Sequence, residues 1–477
     1  MTRSYLYLPI TSQPRELEPK LLLALVAKEK GMTPVFGYKS RFQPRLHKMP
    51  KGFFLVHNAR QRSPLHHRLR VYGHQVLVLD EEALVRQSDE IFLRKHHEDA
   101  FDWVDHILSW GEGDAAIWAK AAHVTLPKHI FTVGNPRIDL MRPELSAYST
   151  DIVGRLQERY GTFVLLNTNY PTVNNLTPQG RGLRLAHWSR DAQGNKIEDA
   201  FLSNKRAMFE AALGLVRELA EKIAPTTLVI RPHPNEDHEP WHAAAAGLDN
   251  VHVVFEGGVV PWIIAAKALV HNNCTTAVES AVVGTPVLNF RPWVSDFDNV
   301  LSHAFGVDCS DAKTLAHGLE RILSGPADFV LDAEKRSLLQ HYIVSCAGDL
   351  SCDRIVGYLL DLEQSGGIDT GGSLGGKIRV WLETRGQWSW QFVRFVGTKR
   401  GRDRLRHFRK LAPDQSVFSL DFEMLGYTAA QFELLMRQFP VLSVAALDET
   451  ITRFAAATGR FQGMRARQIE RHLFTIV

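Results

Sequence analysis

Two segments of this chain combine side chains suited to gripping a phosphate ester. The first is Arg231-Pro232-His233-Pro234, delivered by an apolar run and stiffened by two prolines. A guanidinium beside an imidazole suits the oxygens of a phosphate or diphosphate, and His233 could protonate a departing phosphate. The second is His271-Asn272-Asn273-Cys274-Thr275-Thr276-Ala277-Val278-Glu279. An apolar run ends at His271 and a helical pattern starts near Thr275. Two hydroxyls, the amide of Asn273 and free backbone N–H groups at a helix start make an anion site. Glu279, one turn on, could accept hydrogen bonds from ribose hydroxyls. The plainer alternatives are a solvated Arg231 in a rigid turn and a helix cap supported by Glu279.

Carboxylates come from the first third of the chain. Asp80-Glu81-Glu82 follows the run Gln75–Leu79, and Glu112 stands in Trp110-Gly111-Glu112 after another. Adjacent carboxylates repel and raise one another's pKa, which suits a general base or nucleophile; acidic residues are also favourable at a helix start. In Gly134-Asn135-Pro136-Arg137-Ile138-Asp139, Arg137 could pair with Asp139 at an interdomain hinge or touch substrate together with Asn135. Asn167 and Asn169 open the next unit in a position to face a cleft.

All these polar segments sit where apolar runs end, so parallel strands must carry them. Runs at 4–10, 34–37, 52–56, 75–79, 106–110 and 129–133 alternate with helical patterns, of which Glu16–Gly31 is the clearest. A second series has runs at 162–166, 227–230, 251–255, 268–271 and 286–290, with a long helix over Asn204–Ile223 and a polar loop over 172–200. The spacing predicts an α/β chain with domains at 1–150 and 151–362, then a Gly-rich linker and a basic helical extension over 363–477. Ala429–Phe439 and Leu447–Ala457 are the clearest helical segments of the extension. Tandem open sheets bind ligands beyond the carboxyl ends of their strands.

Composition narrows the class. The 477 residues are 45% hydrophobic and 23% charged, with a net charge of +4. No apolar run is long enough to span a bilayer, and the start has no secretory pattern, so a cytoplasmic site of action is expected. The four cysteines form no C-x-x-C pair and are read as reduced thiols. No Walker loop, no G-x-G-x-x-G after the first strand and no metal-ligand spacing occur, so neither a metal nor a cofactor is expected. Residues 377–410 hold eleven Lys or Arg against two acids, interleaved with Trp381, Trp388, Trp390, Phe392 and Phe395. That mixture suits the headgroup layer of an anionic membrane at the inner face of the cytoplasmic membrane, and no nucleic-acid module surrounds it.

Taken together, Tyr7-Leu8-Pro9-Ile10, Leu79-Asp80-Glu81-Glu82, Trp110-Gly111-Glu112, Gly134–Asp139 and Asn167-Thr168-Asn169 resemble the surface carbohydrate biosynthesis proteins over roughly residues 5–360. That family is similar to the capsule Kdo transferases and bacterial sialyltransferases of GT-B fold, in which two Rossmann-like domains face a cleft. The resemblance implies a metal-independent glycosyltransferase that passes a Kdo- or nonulosonic-type sugar from a CMP-activated donor to a glycan or lipid-linked glycan acceptor. It implies Glu82 as catalytic carboxylate beside Glu81, and His233-Pro234 with Thr275 and Thr276 around the CMP phosphate. Ala83 stands where glycine is usual. The second domain also resembles CDP-glycerol glycerophosphotransferases and UDP-GlcNAc 2-epimerases; a non-catalytic membrane scaffold is the remaining alternative.

Overall fold

The computed structural model describes residues 4–59, 64–85, 89–94, 102–122, 129–176, 197–325, 329, 331–365, 372–383, 403, 442–470 and 472–477. Strands β1 (Tyr5–Ile10), β2 (Thr33–Tyr38), β3 (Gly52–Val56), β4 (Gln75–Leu79), β5 (His106–Ser109) and β6 (His129–Thr132) pair in parallel in the order β2-β1-β3-β4-β5-β6. Strands buried on both faces read as continuous apolar runs, as Gly52-Phe53-Phe54-Leu55-Val56 does. Strands β7 (Phe163–Asn167), β8 (Thr227–Arg231), β9 (Val251–Val253), β10 (Ala268–His271), β11 (Val287–Phe290) and β12 (Val307–Cys309) form a second parallel sheet, ordered β9-β8-β7-β10-β11-β12. Numbered within its own sheet, that order is 3-2-1-4-5-6, the doubly wound dinucleotide-type topology, while the first sheet has the flavodoxin-type order. Two Rossmann-like lobes therefore stand in one chain, the GT-B arrangement. The strand order reverses between β1 and β3 in one lobe and between β7 and β10 in the other, and these are the points where such sheets open a crevice.

The lobes meet. Val278 and Ala281, on the helix Thr276–Val283, belong to the same apolar core as Leu21–Ala27 of the helix Gln13–Glu29. Asn299 donates to the carbonyl of Leu84 across the gap at 3.3 Å.

The chain's later part departs from the expected boundaries. Helices Ala333–Tyr342 and Ser351–Gln364, read from sequence as second-domain, return to the first lobe. Ile355, Val356 and Leu359 pack in its core, and Asp139 accepts the N–H groups of Ser351 and Cys352 at 2.8 and 2.9 Å. Burial raises the Asp139 carboxyl to about 6 against those hydrogen bonds. The hinge pair Arg137–Asp139 is thus not formed. Within the extension, Val444–Thr458 is helical as expected, but β13 (Ala466–Glu470) and β14 (Leu473–Ile476) form an antiparallel hairpin that adds to the free edge of β2. Gly37 permits the contact: at φ +151°, a Cβ there would lie 2.0 Å from the His472 carbonyl oxygen. The segment Ala429–Phe439, the aromatic and basic residues of 384–410 and the loop 177–196 lie outside the described residues. No helix among the described residues is long and apolar enough to cross a membrane.

Candidate active site

The second lobe's crevice is built by the turns after β7, β8 and β10. After β7, Thr168 Oγ1 donates to Glu236 at 2.6 Å and the Tyr170 N–H donates to the same oxygen at 3.0 Å. Glu236, fully buried, also accepts the His233 N–H, the Asn174 amide and the Trp241 indole N–H. Five donors on one carboxylate weld the turn carrying His233 to the end of β7. Asn169 reaches the Asn273 carbonyl at 2.9 Å and so ties β7 to the turn after β10. Asn273 holds a left-handed backbone, φ 55°, which asparagine tolerates, and its side chain accepts the Asn299 N–H at 2.6 Å. It is spent on shaping the turn. Asn167 Oδ1 is buried without a hydrogen-bond partner.

His233 stands half-buried at the mouth of this framework, next to Pro234. Its Nδ1 accepts the Asn235 N–H at 3.2 Å, so the neutral ring carries its proton on Nε2. Burial and the nearby Arg15 guanidinium push its pKa down to about 4, against the pull of Glu82. It is therefore a neutral hydrogen-bond donor at pH 7. Opposite, Thr275 begins the helix Thr276–Val283 without capping it through its side chain, and Thr276 Oγ1, near the Cys274 thiol, is buried without a hydrogen-bond partner among the described residues. Glu279 does not support the cap. It pairs with Arg137 of the first lobe at 3.1 Å, both buried, and its Oε2 is left without a hydrogen bond. Arg137 also lies over the Trp110 ring at 5.3 Å.

Arg231 is placed otherwise than its sequence context suggests. It donates to the carbonyls of Glu256 at 2.9 Å and Gly257 at 2.5 Å, between the rings of Phe255 and Trp262. Burial holds it down to about 10. It clamps the loop after β9 and is not turned to a phosphate. Arg231→Lys cannot make both bonds and keep the stacking. It is expected to cost about 2 kcal/mol in urea unfolding, with nucleotide affinity falling no further than the loosened loop requires. Unchanged stability with lost nucleotide binding would restore the phosphate role.

Two cations that sequence reasoning missed stand in its place. Arg15, in the first turn of Gln13–Glu29, meets Glu82 at 3.7 Å and lies within electrostatic reach of Glu81, Glu279 and His233. Lys205, on the helix Ile197–Ile223, is 6% exposed and has no ion pair among the described residues. It lies 5.9 Å from the Tyr170 ring centroid, with Cys274, Asp298 and Glu236 in reach, and burial lowers it to about 8. Its signal was available: Phe201, Lys205, Met208 and Ala212 share one buried helical stripe, and a lysine in such a stripe needs an anion. Glu236, by contrast, had no signal beyond lying three residues after His233.

The first lobe's acidic triplet is divided. Asp80 turns back to accept the Glu82 N–H at 2.8 Å, and its carbonyl takes the Trp110 indole N–H. Glu81, buried, accepts the Asn135 amide at 3.3 Å, while Asn135 Oδ1 caps the Arg137 N–H. Only Glu82, 35% exposed, faces the cleft beside Arg15. The turn thus sends the three carboxylates to different partners. Glu112 is exposed on the first turn of Glu112–Ala122, and no hydrogen bond or ion pair among the described residues joins it to this cluster.

No protein-family model and no curated protein sequence matches the chain. Its fold is similar to the wall teichoic acid polymerase TagF (9% identity, 76% of this chain and 90% of that one, TM-score 0.48). It is also similar to the UDP-GlcNAc 2-epimerase from Neisseria meningitidis bound to UDP-GlcNAc (12%, 75% and 99%, TM-score 0.45). HepE from Anabaena in complex with UDP-glucose matches at 11% identity over 75% and 99% of the two chains, TM-score 0.42.

Proposed function

We propose that the chain is a glycosyltransferase of surface polysaccharide biosynthesis that moves a Kdo- or nonulosonic-type sugar from a CMP-activated donor to a glycan acceptor. The observation that supports this reading is the meeting, at one crevice, of His233, the helix start at Thr275 and Thr276 and Lys205 of the second lobe with Arg15 and Glu82 of the first. The phosphate of the donor lies against the Thr275 N–H and the two threonine hydroxyls, and His233 Nε2–H and the two cations stabilise it as it leaves. The donor's anomeric C–O bond breaks, its electron pair stays on the CMP oxygen, and the acceptor hydroxyl forms the new bond while Glu82 takes its proton. Glu279 Oε2 is the acceptor for ribose hydroxyls.

The test is a thermal-shift screen of CMP, CDP and UDP, followed by product analysis with and without acceptor. CMP at a hundredfold excess over its Kd stabilises by about 2.7 kcal/mol and shifts the midpoint accordingly. Stabilisation by UDP alone, with a UDP-sugar altered when no acceptor is present, would replace this reading with an isomerase.

A further inference from the structure

The first lobe has its own crevice at the β1/β3 reversal, and the proposed mechanism leaves it unused. A recess there is lined by Thr11, Lys39, His57, Asn58 and His66 over an apolar floor. None of its lining residues is acidic. Three basic side chains converge on it from separate elements: Lys39 follows β2, His57 follows β3, and His66 lies on the helix Pro64–Val71. Burial, with Lys39 and His57 adding to it, pushes His66 down to about 4. His57 Nε2 meets the Asn58 amide at 2.6 Å, while His57 Nδ1 is buried without a partner. Burial likewise lowers His57, although Glu16 and Asp80 draw it upward. An ammonium, a hydroxyl, an amide and two neutral imidazoles, one with a buried nitrogen that makes no hydrogen bond, in a lining without carboxylates, suit an oxyanion. The recess adjoins the catalytic turn, because the His57 carbonyl accepts the Glu81 N–H, one residue before Glu82.

We infer that this recess binds an oxyanion of the acceptor, so that the acceptor is an acidic or phosphorylated sugar rather than a neutral one. The inference deepens the transferase reading by naming the acceptor's class. Lys39 supplies the charge, and Thr11, Asn58 and the neutral imidazoles supply hydrogen bonds that hold the anion beside Glu82. A carboxylate on the sugar ring and a phosphate at its anomeric oxygen share this chemistry.

The experiment titrates glucuronic acid, glucose 1-phosphate and glucose, at constant ionic strength, into the full chain saturated with CMP, reading the unfolding midpoint. At least one anionic sugar should stabilise the protein, glucose should not, and Lys39→Met should weaken the anion about tenfold while keeping the CMP shift. Which anion acts tells carboxylate from phosphate. Should Lys39→Met fail to fold, His66→Gln reads the same site. Equal stabilisation by glucose, displacement of the anion by CMP, or full anion affinity in both variants would overturn the inference. An anion shift that survives where CMP gives none would sink the donor reading and leave this site standing.

Discussion

His233→Ala is expected to lower turnover about a hundred- to a thousandfold with no change in the unfolding midpoint. The imidazole's structural bond is the one its Nδ1 accepts from Asn235 in an open turn, and the turn itself is held by backbone donation to Glu236, which alanine keeps. What alanine removes is the Nε2–H donor. Because burial and Arg15 hold the ring's pKa near 4, the free enzyme does not change charge at His233 between pH 5 and 8. The pH profile of kcat/KM should therefore show no ionisation near 6.5 that disappears with His233. His233→Gln, which retains an N–H donor, should keep more activity than alanine. Loss of a limb near 6.5 in the variant would make His233 an acid and reverse this assignment. Arg15→Ala tests the electrostatic half. With that cation gone, the His233 pKa should rise towards the ordinary imidazole value, as an NMR titration would read.

Glu236→Ala should be the most destabilising single change at the site, about 4 kcal/mol. The side chain is fully buried and accepts from Thr168, Tyr170, His233, Asn174 and Trp241. Removing it strands donors from two turns and an indole at once, and buried donors without acceptors carry their full desolvation cost. Glu236→Gln keeps the shape but brings an N–H group to a place already filled with donors. It should cost about half as much, and urea unfolding separates the two. A midpoint in either variant equal to wild type would mean the turns are held by something other than this carboxylate.

Much of the fold was legible because parallel strands buried on both faces are short apolar runs with polar ends. β1 to β11 are legible within a residue or two. β12 was not, because Val307-Asp308-Cys309 is three residues long and exposed at two of them. β13 shows one buried residue in five, and β14 is identified only by its partner β2, more than four hundred residues away, which no local pattern reveals. The same limit shaped the site. His233, Thr275, Thr276 and Glu82 were legible as polar residues at strand ends. Arg231 was misassigned because its true acceptors, the carbonyls of Glu256 and Gly257, have no side-chain signature. Arg15 looked like an ordinary first-turn charge, and its role came from the other lobe's approach. The Arg137–Glu279 pair, which joins the lobes, was invisible for the same reason.

The hairpin added to β2 has a consequence for how the molecule is made. Thr475 Oγ1 donates to the Pro34 carbonyl, 441 residues earlier. While the nascent chain is still on the ribosome, the amino-terminal lobe must wait with an unsatisfied sheet margin, long after the nucleotide-type lobe has emerged and can close on itself. Pairings this distant are slow to find and leave bare strands open to other molecules in the meantime. Clipping the chain at 364 would therefore do more than remove a basic tail: it would strip a finished lobe of its selvedge, and clumping of the shortened protein should not be mistaken for lost affinity for lipid.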